Sequence, residues 1–295
     1  MSLLHREPRP SGPPGGFDDG GTAAYTFFLG ICVFLLVAAL SARQVTAAGP
    51  ATDVLSSGIA TLSEVDLLLA QHGDELREIA AASNQPAVTV PGYPLDVYIT
   101  RQEAATLSNE ELRDPLLDRS AAIVYDEGLD AFDRTGGQSL GFFSPDGMLE
   151  QAAGILSDRQ HTRANLATLV FALATALAAV LVVLKNSGFK RMRQVGVATA
   201  LAAVPGFAGS WLVGRAAAAL GGDDPFREDL RTIVLAVAAV PERNYLVALV
   251  AGLVIALTAV AFTLLLRYLP LASDGYDEDG YDDVARRRAE FLRRK

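Results

Sequence analysis

Cysteine occurs once in the 295 residues, as Cys32 inside an apolar run. No intramolecular disulfide can form, which excludes a small disulfide-built secreted domain. Histidine is nearly as rare: His5, His72 and His161 share no short metal-ligand spacing, and none belongs to a zinc-protease helix pattern. No glycine-rich loop ending in Lys opens a helix, so nucleotide hydrolysis would need a partner chain. Lysine is scarce too, with 3 lysines against 22 arginines. That bias, with abundant Ala, points to a GC-rich prokaryotic origin. What is plentiful is apolar surface: 51% of residues are hydrophobic and 20% charged.

The apolar residues are concentrated. Residues 20–42, 164–184, 194–214 and 244–266 carry no charged side chain, and each run has 21–23 residues. A helix of that length rises about 30 Å at 1.5 Å per residue, enough to cross the hydrocarbon core of a bilayer. Barrel strands would instead alternate over about ten residues. The expected fold is mainly α, a polytopic membrane protein with four transmembrane helices at 22–42, 164–184, 194–214 and 244–266. A mostly helical extracytoplasmic module is inserted between helices 1 and 2.

Orientation follows from the basic residues flanking the spans. The 185–193 loop holds Lys185, Lys190, Arg191 and Arg193 and no acid. The tail, 267–295, adds Arg267, Arg286, Arg287, Arg288, Arg293, Arg294 and Lys295. Both belong on the cytoplasmic face of the cell membrane, and four spans put both termini there. The 43–163 segment is then outside, with 19 acids, 8 arginines, no lysine and a net charge of −11. The first run is read as a retained signal anchor, although small residues near Ala42 and at 46–48 resemble a cleavage site. Cys32 is preceded by Ile31, where lipid attachment requires a small residue, and is expected to pack within the membrane helix.

The leader, 1–21, has four prolines and five glycines without apolar periodicity and reads as disordered. The first span is expected to continue outward after Pro50 as a helix over 53–82, burying Leu55, Ile59, Leu62, Val65, Leu69, Leu76 and Ile79 on one face. Prolines and Gly92 break the chain over 84–94, and 95–99 alternates like a short strand. Two capping boxes follow. Thr100 with Glu103 opens a helix over 101–106, and Ser108 with Glu111 opens a second. That second helix is expected to be interrupted or to restart at Asp114-Pro115, run through 116–132 and stop at Thr135-Gly136-Gly137. Ser144-Pro145 begins a last one, running through 148–163 directly into the second span. Helical stalks at both ends suit a module that passes movement to the spans.

Pro205-Gly206 predicts a kink in the third span. Small residues recur in every span, including Ala176, Ala198, Ala202, Gly206, Gly252 and Ala256, which favours a compact bundle or a homo-oligomer. The 226–240 segment, in the second outer loop (215–243), is too short to span and is expected as an interfacial helix. No Asp, Glu, Lys, Arg or His lies within a span core, which argues against proton relay or ion-coupled transport. The polar span residues Asn165, Thr168, Thr175, Thr199, Ser210, Thr258 and Thr263 are expected to bond between helices. Ser210 follows Gly209, but the spans hold no histidine to activate it as a nucleophile.

Asp126, Asp130 and Asp133 would share a helical face and are a weak candidate for a divalent cation; a solvated acidic face is preferred. The acidic tail residues do not fit a calcium-loop spacing and read as a spacer. No cofactor and no nucleic acid are expected. Lys190, Arg191, Arg193, Arg286, Arg287, Arg288, Arg293, Arg294 and Lys295 are the expected contacts with anionic lipid of the inner leaflet or with a partner.

Two functions fit. One is a non-enzymatic membrane scaffold or sensor-type protein whose outer module binds a partner or ligand. The other is the membrane subunit of a transporter or cell-envelope complex. With both termini inside, a large first outer loop and a short second one, the topology is similar to that of FtsX-type proteins. That resemblance implies a cytosolic ATPase docking on the 186–194 loop near Phe189, Met192 and Val195.

Overall fold

A computed structural model describes residues 18–62, 65–93, 95–128, 130–133, 148–219 and 225–268. The chain is mainly helical, and four of its helices are long and apolar enough to cross a membrane. These are α1 (Asp18–Val45), α8 (Asp158–Lys185), α9 (Lys190–Ala219) and α10 (Pro225–Tyr268). Each contains one of the charge-free runs.

Between α1 and α8 the chain builds a second body around its own core. Its helices among the described residues are α2 (Ala48–Leu62), α3 (Val65–Ala82), α4 (Arg101–Thr106), α5 (Asn109–Glu127), α6 (Asp130–Asp133) and α7 (Met148–Ile155). A two-stranded antiparallel sheet, β1 (Ala87–Thr89) with β2 (Tyr98–Thr100), pairs Val88 with Ile99. Leu55, Ile59, Leu76, Leu95, Ile99, Leu112 and Leu116 are fully enclosed there. At about 25 cal/mol per Å² of apolar surface, such side chains are the main source of this body's stability.

The local signals acted as the sequence implies. In both capping boxes the hydroxyl accepts from the backbone three residues on, and the Glu accepts from the cap N–H. Burial alternates from Leu95 to Ile99, with Leu95, Val97 and Ile99 inside and Asp96 and Tyr98 outside. Glu103 does more than cap: Arg119 forks onto it at 2.7 and 3.0 Å, tying α4 to α5. Those bonds, helped by those from Thr100, hold the carboxyl at about 2. Tyr93 donates to or accepts from Ser120 at 2.7 Å, and burial pushes its phenol up to about 12.

Several expectations change. Of the helix expected over 53–82, α2 and α3 cover all but 63–64, which lie outside the described residues; Ile79 faces out while Ala80 takes the buried position. Part of the 84–94 break is strand β1, since Val88 and Val90 are buried against the core. Pro115 interrupts nothing: α5 runs unbroken from Asn109 to Glu127, held by Leu112, Leu116 and Leu117 in the core. The acceptor its ring leaves free belongs to exposed Glu111, where solvent can serve it. The break comes instead at Gly128, whose φ of 63° lies in the region glycine tolerates. The turn at Thr135-Gly136-Gly137 and the start at Ser144-Pro145 lie outside the described residues.

The helix into the second span is also divided. Leu156 turns into the module core, and Ser157 is buried at the N-cap of a new helix, α8. On the far side the opposite correction applies. The interfacial helix expected over 226–240 and the fourth span are one helix, α10, with Pro241 inside it. Forty-four residues reach about 66 Å, roughly twice a hydrocarbon core. Its first half therefore extends past the spans and reaches α2 of the module.

Span packing follows small residues. Cβ atoms added to Gly196 and Gly252 would stand 2.5 Å from the backbone nitrogens of Ala256 and Ala200, so α9 and α10 touch backbone to backbone. Gly206 faces the Tyr245 ring just as closely. In α1, Leu29, Cys32 and Val33 pack on Ala178, Val182, Ala198 and Ala202 of α8 and α9. Leu166, Leu173, Leu177, Leu253 and Leu257 point outward. An outward face of leucine is what lipid accepts and water does not.

Candidate functional site at the junction of module and spans

The module and the spans meet at Thr46, the residue that follows α1. Thr46 is buried. Its hydroxyl donates to the Ala42 carbonyl at 2.8 Å. With that proton committed, the 3.3 Å contact with His161 Nδ1 needs the imidazole to donate. The Thr46 carbonyl accepts from the Tyr125 hydroxyl at 3.0 Å. One residue thus joins the end of the first span, the first turns of α8 and the last turn of α5. Burial, together with the negative charges of Asp158 and Asp126, pushes the Tyr125 phenol up, so the group stays a hydrogen-bond donor at neutral pH.

Beside this hub lies a polar cavity of about 420 Å³ between α5, α6, α7 and α8. Asp126, Glu127 and Asp130 line one side, and Arg159 and Arg163 the other. Arg159 approaches Asp130 at 3.9 Å. Gly128 divides Asp126 from Asp130, so the single helical face that would align Asp126, Asp130 and Asp133 is not formed. Among the described residues no group of three His, Cys, Asp or Glu side chains gathers as a metal site; the Asp133 side chain lies outside them. Mixed charge suits the cavity to a zwitterionic or hydrogen-bonding group of a ligand or partner.

Polar residues inside the bundle are used differently from the expectation. Thr168, Thr199, Ser210 and Thr263 bond back to the carbonyl four residues earlier in their own helices. Asn165 and Thr258 are exposed, and the Thr175 hydroxyl is buried without a partner among the described residues. The bonds between helices come from other residues. Asn244 donates to Ser41 at 3.0 Å and to Gln44 at 2.9 Å. Tyr245 stacks on Phe34 and donates to its carbonyl at 3.2 Å, and Thr26 donates to Gln194 at 2.8 Å.

At the opposite end, Asn186 to Phe189 make a four-residue turn between α8 and α9. Lys190, Arg191 and Arg193 occupy the first turn of α9 and are exposed. Phe189 stacks on Phe262 of α10 with ring centroids 5.5 Å apart. Arg286, Arg287, Arg288, Arg293, Arg294 and Lys295 lie outside the described residues.

Sequence reasoning missed the hub because its members are far apart: Tyr125 is 79 residues from Thr46, and His161 is 115. Locally, Thr46 resembles only part of a cleavage-site pattern, and His161 is a lone histidine. No family model, no curated protein and no solved structure matches the chain.

Proposed function

We propose that this is a non-enzymatic membrane scaffold of the sensor type. The module between α1 and α8 faces the outside of the cell membrane and binds a partner or ligand. Its bound state passes to the spans through Thr46. The observation that carries this reading is the hub itself, where one buried residue bonds to a module helix and to the second span. The polar cavity beside it offers a place for the bound group, because Arg159 and Arg163 sit on α8 while Asp126 and Asp130 sit on the module. Anything that bridges the two sides acts on both bodies. The extension of α10 onto α2 adds a third connection. The packing of α1 into the bundle supports a retained anchor, and Lys185, Lys190, Arg191 and Arg193 on either side of the α8–α9 turn support the orientation.

In the FtsX-like alternative, the 186–194 loop receives an ATPase. Phe189, one of its apolar contacts, is engaged with Phe262, and only a four-residue turn is offered. The sensor reading is therefore preferred.

Two experiments test it. A Glu110→Cys variant should react with a membrane-impermeant maleimide in intact cells, and Ser187→Cys only after permeabilisation; the reverse pattern overturns the orientation. Affinity purification in mild detergent should recover partners that contact the module. Stoichiometric recovery of a cytosolic ATPase would favour the transporter subunit instead.

A further inference from the structure

A groove of about 730 Å³ runs between α1 and α9 on the lipid side of the bundle. Phe27, Ile31, Phe34 and Leu201 wall it, and Ala198 and Ala202 form its floor. It does not end in apolar residues. Lys190 and Arg193, one turn apart on α9, stand at its mouth, with Thr26 and Gln194 beside them. Neither cation has a carboxylate partner among the described residues. Arg191, between them in sequence, does not line the groove.

The geometry points to a specific site for one anionic glycerophospholipid, with its phosphate at Lys190 and Arg193 and an acyl chain lying along the Phe27–Leu201 slot. The argument is charge complementarity joined to shape. A basic mouth at the ends of membrane helices meets an anionic headgroup at the depth where headgroups lie. The volume is in the range of sites that enclose a small ligand, and the slot wall is apolar over the depth where the chain would sit. A diffuse attraction of the basic turn for the membrane would use all three cations alike. The groove selects two. This site does not depend on which face of the membrane holds the module, nor on what the module binds.

The test uses the full-length protein, stripped of lipid in detergent and examined by native mass spectrometry. Phosphatidylglycerol and phosphatidylcholine with identical acyl chains are added at equal concentration. One phosphatidylglycerol should be retained, and phosphatidylcholine should not. The double variant Lys190→Gln/Arg193→Gln should weaken retention by roughly 30-fold, the loss of two basic contacts with an anionic headgroup. Arg191→Gln should leave it unchanged. Leu201→Trp should lower it without altering charge, because Leu201 lies exposed on the groove wall, where a larger side chain fills the slot and leaves the α1–α9 contact intact. Equal retention of phosphatidylcholine overturns the proposal, as does an Arg191→Gln effect equal to that of the double variant. Retention that appears only after removal of residues 269–295 also overturns it, since the groove would then be the seat of the tail.

Discussion

The two bodies of this chain place most of their described leucines on opposite sides. In the module, Leu55, Ile59, Leu76, Leu112 and Leu116 are enclosed, while charged side chains face out. In the spans, Ala178, Ala198, Ala203, Ala259 and the glycines at the α9–α10 contact are inside, and Leu166, Leu173 and Leu257 are outside. Water rewards the first arrangement through the hydrophobic effect. Lipid tails are as apolar as leucine, so between spans that reward vanishes and close backbone approach takes its place. A single chain therefore obeys two packing rules, and the change of rule falls at Thr46 and Ser157.

The same substitution made in both bodies separates the two packing rules, beginning with the module. Leu116→Ala should destabilise it by about 2–5 kcal/mol, since the side chain is fully enclosed and leaves a cavity; thermal unfolding in detergent measures the loss. Next comes Gly252→Val, which should cost about 3 kcal/mol or more because its Cβ meets the Ala200 backbone. Here a small addition should harm the spans as much as a large deletion harms the module. A Gly252→Val protein as stable as the parent would refute the close helix contact.

A smaller effect belongs to the caps. Thr100→Ala should cost about 1 kcal/mol of module stability. The Glu103 carboxyl is held below its unfolded value, so its contribution is complete above about pH 4.5 and is lost as the pH falls toward about 2. An acid titration of module unfolding should show that loss, and Arg119→Gln, which removes the guanidinium that forks onto the carboxylate, should shrink it. Smallest of all is Leu173→Ala on the lipid face, expected to change stability by less than about 0.5 kcal/mol. If it costs as much as Leu116→Ala, the two bodies do not follow different rules.

The spans, both capping boxes and the alternation at Leu95–Ile99 were legible because each signal is local. Charge-free length, a hydroxyl three residues before a glutamate, and period-two burial need no distant partner. The misreadings came where tertiary contacts outweigh local chemistry. Pro115 looks like a break, yet α5 passes through it with Leu112, Leu116 and Leu117 buried on either side. The expectation of helix-bonding threonines failed because short hydroxyls reach their own backbone first. Longer Asn244 and Tyr245 reach the next helix instead. Gly196 and Ala200, the true contact with Gly252 and Ala256, were indistinguishable from the many other small residues nearby. The groove mouth was half legible: the basic cluster stands out in sequence, but only the fold separates Lys190 and Arg193 from Arg191.

We propose that the module and the spans are coupled through Thr46. Hydrogen–deuterium exchange of a Tyr125→Phe variant tests it most directly, because the substitution removes the bond to the Thr46 carbonyl and little else. Coupling predicts faster amide exchange both in the last turn of α5 and in the first turns of α8 around His161. Faster exchange confined to the module, with the start of α8 unchanged, would contradict it.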